Sequence, residues 1–177
     1  MSRRHPNVIN KDEVPATEGG RGDRYAYFRR QLGAAAGGRA LGASYMELPP
    51  GRSAWPAHFH CANEEAIFVI QGTGTLRLGI ERIPLRSGDY VALPAGPTEH
   101  QIINDSTGPL SYLAFSTMVP TDVVVYTDSA KLGVFGGSPP GGTREGRIVE
   151  GFFKLEEAVD YWEGETVLDE DPDDELA

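Results

Sequence analysis

Four histidines occur in the chain, and three of them, His58, His60 and His100, fall in a region of short apolar runs cut by glycine and proline; His5 stands apart near the start. His58 and His60 are two residues apart, and on a strand that spacing turns both imidazoles to one face. Glu65 has the opposite parity, so one continuous strand cannot place it beside them. A turn at about Ala62 to Asn63, with Glu65 opening the next strand, can. Two imidazoles and a carboxylate converging inside a barrel form a metal-ligand set, and His100 from a later strand supplies a fourth donor. Three neutral imidazoles and one carboxylate leave a divalent ion with a net charge of about +1 and, in octahedral coordination, about two open positions. Open positions are what catalysis needs and structural sites lack. Taken alone, the histidine pair reads equally well as surface decoration, and Glu64-Glu65 as a solvated pair of acids.

The elements that must hold these residues are strands. Arg24 to Leu32 and Ala43 to Leu48 are strand candidates, the second stopped by Pro49-Pro50-Gly51. Further strands are expected over Glu65 to Ile70, Thr75 to Ile80, Ile83 to Leu85, Tyr90 to Leu93, His100 to Ile103 and Leu110 to Met118, with turn residues between them. Strands at such spacing indicate an all-β sandwich or barrel. Val123 to Tyr126 reads as a short strand, Gly133 to Gly146 as a Gly/Pro-rich loop, and Leu155 to Trp162 as a short amphipathic helix. Ala66-Ile67-Phe68-Val69-Ile70 is apolar on both faces, so its outer face is expected to lie under a terminal extension or a second subunit. The expected organisation is an N-terminal arm over 1–23, a barrel over 24–120, a C-terminal extension over 121–168 and a disordered acidic tail over 169–177.

The formal charge of −10 is unevenly placed. From Leu155 onward there are 11 acids and no Lys or Arg, while the rest holds 15 acids and 16 bases. The acidity therefore belongs to the tail, and no basic stripe offsets it, which argues against nucleic acid as a partner. Cys61 is the single cysteine, so no intrachain disulfide can form and a reducing compartment is suited. The first residues lack an apolar segment after Arg3-Arg4, and no run reaches the ~18 apolar residues of a membrane span. A cytoplasmic protein with no membrane association is expected.

The spacing of the candidate ligands resembles the cupin superfamily. Its first motif, G-x(5)-H-x-H-x(3,4)-E-x(6)-G, is matched by Gly51, His58, His60, Glu65 and Gly72, with one extra residue between Gly51 and His58. Its second, G-x(5)-P-x-G-x(2)-H-x(3)-N, is matched by Gly88, Pro94, Gly96, His100 and Asn104, with one extra residue before His100. The resemblance covers residues 43–118. It implies a double-stranded β-helix, or jelly-roll, barrel, and a metal held by His58, His60, Glu65 and His100. The six-residue gap to Gly72 selects Glu65 over Glu64 as the ligand, leaving Glu64 to face outward or hydrogen-bond a ligand. Segments outside the motifs, among them Leu48-Pro49-Pro50-Gly51 and Val124-Val125-Tyr126-Thr127, are similar to a group of small bacterial cupins described as sugar-phosphate isomerases.

These readings point to a metal-dependent enzyme acting on a small oxygenated metabolite, of isomerase or dioxygenase type. A metal-dependent binder without turnover and a cupin whose metal only stabilises the fold are the alternatives. The ligand set suits iron, manganese, nickel, cobalt or zinc, and no residue is assigned a catalytic role. Cys61 has the wrong parity for a ligand, Arg77 is expected to point outward, Asn104 to cap a turn through its side chain, and Glu99 is a conceivable general base. Cupins of this size commonly dimerise through a sheet, so a homodimer is expected, with Tyr161-Trp162 packed on the barrel or on the partner.

Overall fold

A computed structural model describes residues 4–166. The acidic tail expected over 169–177 lies outside them. In chain order the elements are β1 (Thr17–Arg21), β2 (Tyr25–Gln31), the single turn α1 (Leu32–Ala35), β3 (Leu41–Leu48), β4 (Arg52–Ser53), β5 (Phe59–His60), β6 (Glu65–Gln71), β7 (Thr73–Leu78), β8 (Glu81–Arg86), β9 (Tyr90–Leu93), β10 (His100–Asn104), β11 (Leu110–Thr117), β12 (Asp122–Tyr126), β13 (Lys131–Gly136) and β14 (Val149–Lys154). The fold is all-β. A large sheet runs β8-β7-β10-β4-β2-β3-β11-β6-β9, with β1 paired to β2, and a smaller one runs β14-β13-β12-β5.

The large sheet curls on itself, because residues far apart in its strand order share one core. Leu76 of β7, Leu85 of β8 and Ile102 of β10 pack with Met46 of β3, Val69 of β6, Leu93 of β9 and Tyr112 of β11. Alternation along β6 shows the physical basis: Ile67 and Val69 point inward while Phe68 and Ile70 are exposed. Among the described residues, neither terminal extension covers the outer face of β6. The N-terminal arm packs elsewhere on the outside, where the Lys11 ammonium lies over the Tyr45 ring (5.2 Å).

Two turns require glycine. Gly72, between β6 and β7, has φ +90° and an added Cβ would lie 2.4 Å from the Pro109 carbonyl oxygen. Gly137 has φ +84°, with the Gly146 oxygen 2.2 Å from where a Cβ would stand. Asn104 caps its turn as expected, its Oδ1 accepting from the Ser106 N–H (3.1 Å). It also ties β3 to that turn, since Nδ2 donates to Leu48 O (2.8 Å) and Gly108 O (2.9 Å).

Three expectations for the ends are corrected. Thr17–Arg21, placed in the arm, forms β1 as a hairpin with β2, its register running from Thr17↔Arg29 to Arg21↔Tyr25. The stretch expected as loop from Gly133 supplies most of β13, which pairs with both β12 and β14. Leu155 to Trp162 is not a helix: a single 3-10 turn covers Leu155–Glu157. Leu155, Val159, Tyr161 and Trp162 are all exposed, and a helix this short needs a packed apolar face to persist. Tyr161 and Trp162 accordingly do not pack on the barrel; their rings meet each other edge to face at 4.7 Å.

Candidate metal centre

The smaller sheet brings the histidine segment to the barrel. β5 pairs with β12, Val124 opposite His60, and His58 forms an isolated bridge with His100 at the start of β10. Between β5 and β6 the chain turns as parity demands. Asn63 anchors that turn: its Oδ1 accepts from the Val119 N–H (2.8 Å) and its Nδ2 donates to Asp122 Oδ2 (2.8 Å). Glu65 then opens β6 with its carboxylate inside.

His58, Glu65 and His100 each offer one ligand atom, and these atoms lie within 4.8 Å of one another. His100 Nε2 donates to Glu65 Oε2 (3.1 Å). His60 stands beside this trio with its Nε2 3.7 Å from the same carboxylate oxygen. Its ring centroid is 5.2 Å from that of His58 and 6.5 Å from that of His100. The four residues named from the sequence thus occupy one site, three in a tight cluster and His60 at its margin.

Tautomers are set by the partners of the other ring nitrogens. His58 Nδ1 donates to the Pro56 carbonyl (2.8 Å), and His60 Nδ1 donates to Asp122 Oδ2 (2.6 Å). Each bond keeps the proton on Nδ1 and leaves Nε2 as a lone-pair donor. Asp122 is fully buried and satisfied, since its other oxygen accepts the Ala62 N–H (2.9 Å). Sequence reasoning missed Asp122. It lies more than 60 residues from His60 at the head of β12, and its signal, an acid opening the apolar run Val123-Val124-Val125, is ordinary for a strand end.

Electrostatics match a cation site. Burial pushes the His58 imidazole down to about 4, with His100 adding to the effect, so His58 is neutral at ordinary pH. Burial alone would raise the Glu65 carboxyl, but the His100 hydrogen bond and the three neighbouring imidazoles outweigh it and hold it at about 2. For His60, burial lowers the value, yet the Asp122 hydrogen bond and the Glu65 charge prevail and raise it above the usual imidazole range. Two lone-pair imidazole nitrogens, a third that gives up its proton to a metal, and an ionised carboxylate fit one divalent transition-metal ion.

Other candidates fall away. Glu64 is exposed and only its backbone engages the barrel, its N–H donating to Thr117 Oγ1 (2.9 Å). Cys61 is exposed and outside the ligand cluster. Glu99 is held 3.5 Å from the Arg77 guanidinium, which also binds Asp128 (2.8 Å), so it is a surface ion pair and not a free base. Arg77 points outward as expected.

The cluster opens into a cavity of about 600 Å³. Trp55 and Tyr126 flank the histidines, and Tyr126 lies 5.8 Å from the His58 ring. The loop between β13 and β14 forms part of the wall, fastened by Gln31 Nε2 donating to the Gly141 carbonyl (2.8 Å). The C-terminal extension therefore covers part of the barrel mouth.

Residues 44–116 match the sequence profile of the cupin domain family Cupin_2. A Bacillus subtilis protein described as quercetin 2,3-dioxygenase is 35% identical over 109 residues, which is 59% of this chain and 32% of that protein. The match thus spans about a third of that relative's length. A crystal structure from Acidithiobacillus ferrooxidans, provisionally described as a sugar phosphate isomerase, superposes with a TM-score of 0.74 at 23% identity over 88% of this chain and 96% of that one. A Silicibacter pomeroyi structure described as a sugar phosphate isomerase gives 0.72 at 23% identity over 85% and 94%. At these identities the likeness establishes the fold. The fold and the domain match together define the class, a single-barrel cupin with a histidine–glutamate cluster inside. Residues 44–116 form a cupin domain. Among the described residues no helix is long and apolar enough to cross a membrane.

Proposed function

We propose that the protein is a metal-dependent enzyme acting on a small oxygenated metabolite, by isomerisation or dioxygenation, with one divalent transition-metal ion held by His58, His60, Glu65 and His100. The observation that carries this is the convergence of the His58, Glu65 and His100 donor atoms within 4.8 Å at the end of a metabolite-sized cavity. When bound, the ion supplies Lewis acidity and open coordination positions for substrate oxygens or O₂. His58 presents a neutral Nε2, and His60 presents one once its second proton leaves, because Pro56 O and Asp122 keep a proton on Nδ1 of each ring. Trp55, Tyr126 and the β13–β14 loop wall the cavity and limit the water that reaches a bound substrate. The chain acts in the cytoplasm and as a homodimer on this reading, the exposed Phe68, Ile70 and Tyr90 face of the large sheet providing the contact.

The second reading is a metal-dependent binder without turnover. The Arg77–Glu99 ion pair favours it, because it removes the acid beside His100 from service as a base. Metal analysis of protein purified without chelator tests the common premise: about one equivalent, lost in His60→Ala, is expected. Absence of metal after each of iron, manganese, nickel, cobalt and zinc is added back would refute it. O₂ uptake in a substrate screen separates dioxygenase from isomerase.

A further inference from the structure

We infer that Arg29 and Tyr112 form an oxyanion-binding site in the cavity wall, and that the substrate carries a carboxylate or phosphate group that this pair holds beside the histidine–glutamate cluster. This deepens the proposed function and rests on it for the neighbouring metal. Arg29 projects from β2 into the same cavity as His58, His60, Glu65 and His100. Its Nε donates to Ser44 Oγ (3.0 Å), which fixes the direction of the guanidinium. Among the described residues it has no carboxylate partner, and neither Nη makes a hydrogen bond. Arg147 Nε is the buried, unpartnered side-chain nitrogen among these residues, so the Nη groups of Arg29 are not sealed in the wall but face the cavity. A half-buried guanidinium with its fork unpaired is costly unless an anion completes it, and the fork matches two oxygens of a carboxylate or phosphate.

Tyr112 is the second, independent observation. It is 1% exposed, lines the cavity, and its hydroxyl has no hydrogen-bond partner among the described residues. A buried phenol normally finds one. Arg29 of β2 and Tyr112 of β11 both stand opposite Met46 of the intervening β3, so their side chains leave the same face of the sheet and reach the same cavity. The loop backbone completes the site. Gly141 has φ +73°, and a Cβ there would come within 3.2 Å of Arg29 Nη2, so a side chain would crowd the guanidinium.

The site is built for one negative group. The acids on the cavity wall are Glu65, which belongs to the metal cluster, and Glu145 on the loop, and neither is paired with Arg29. An anchor at Arg29 and Tyr112 leaves the uncharged, oxygenated part of a small substrate to extend toward the cluster.

The test is equilibrium binding of two probes, inorganic phosphate and succinate, followed through Trp55 fluorescence in a Trp162→Phe background, with the protein both metal-loaded and metal-depleted. Saturable binding of one probe is expected in both forms, and preference between the probes identifies phosphate or carboxylate as the natural group. Arg29→Gln should weaken it about tenfold or more, and Tyr112→Phe several-fold. Arg29→Lys, which keeps the charge without the fork, should fall between wild type and Arg29→Gln; Arg86→Gln, on the exposed surface, should leave it unchanged. Circular dichroism of each variant confirms folding. Equal binding by wild type and Arg29→Gln, or no saturable binding of either probe, overturns the inference. His100→Ala separates it from the metal reading: metal uptake should vanish while Arg29-dependent binding in the metal-depleted protein persists. Failure of wild type to take up metal, with anion binding intact, sinks the metal reading alone.

Discussion

Asp122→Asn tests how the metal centre is held. The wild-type carboxylate accepts three N–H groups: His60 Nδ1 and Asn63 Nδ2 at Oδ2, and the Ala62 backbone at Oδ1. An asparagine of the same shape has one accepting oxygen and one donating NH₂. If its oxygen faces His60 and Asn63, the NH₂ opposes the Ala62 N–H, and two buried donors meet without an acceptor. That arrangement costs about 1–3 kcal/mol. If instead the NH₂ faces His60, Nδ1 must accept, the imidazole proton moves to Nε2, and the ligand position beside Glu65 is blocked. Either way His60 loses the carboxylate that raises its basicity, and metal affinity should drop about 10–100-fold. Chelator competition with zinc or manganese reads the affinity, and urea unfolding of the metal-depleted protein reads the stability. Asn63→Ala is the control, since it removes a bond from the same carboxylate and two anchors of the turn but leaves the His60 tautomer in place; it should lower stability with far less effect on metal. Metal affinity of Asp122→Asn within about twofold of wild type would show that Asp122 serves the fold alone and that His60 is not a ligand.

Metal affinity should depend on pH through His60. Its value in the metal-free protein is raised above the usual imidazole range, so below that value a proton must leave before Nε2 can bind, and affinity falls as pH falls, by about tenfold per unit for this group; His58, held at about 4, adds nothing near neutrality, and a profile flat from pH 6 to 8 would refute the reading. Stability should respond differently at two glycines of similar conformation. Gly72→Ala meets the Pro109 carbonyl as well as an unfavourable φ and should cost about 2–3 kcal/mol in urea unfolding, whereas Gly88→Ala, with φ +94° and open space around it, should cost about 1 kcal/mol; equal costs would mean that the turn at Gly72 relaxes freely. Phe68 is 40% and Tyr90 65% exposed on one sheet face, so light scattering should give a dimer mass for wild type and a monomer mass for Phe68→Asp; a monomeric wild type refutes the dimer.

Much of the barrel was legible in the sequence because its signals are local. Glu65 to Ile70 and Tyr90 to Leu93 are runs bounded by turn residues, and they appear as β6 and β9 within a residue of their expected ends. Parity placed a turn before Glu65, and the Asn63 anchor is found there. The C-terminal extension was less legible: β13 is held by register against β12 and β14, and its glycines look like loop until those partners are present. The helix expected over Leu155 to Trp162 had the right apolar spacing but no surface on which to bury it.

By itself, then, the sequence determined the fold class and singled out four residues that the structure brings close together, because histidine spacing and turn glycines constrain backbone geometry directly. The tertiary structure decided what no spacing encodes. It put Asp122 behind His60, Arg77 against Glu99, and Arg29 and Tyr112 in the wall of the same cavity as Glu65. Those pairings join residues tens of positions apart, and only the curling of the large sheet and the packing of the smaller one against it bring them within reach.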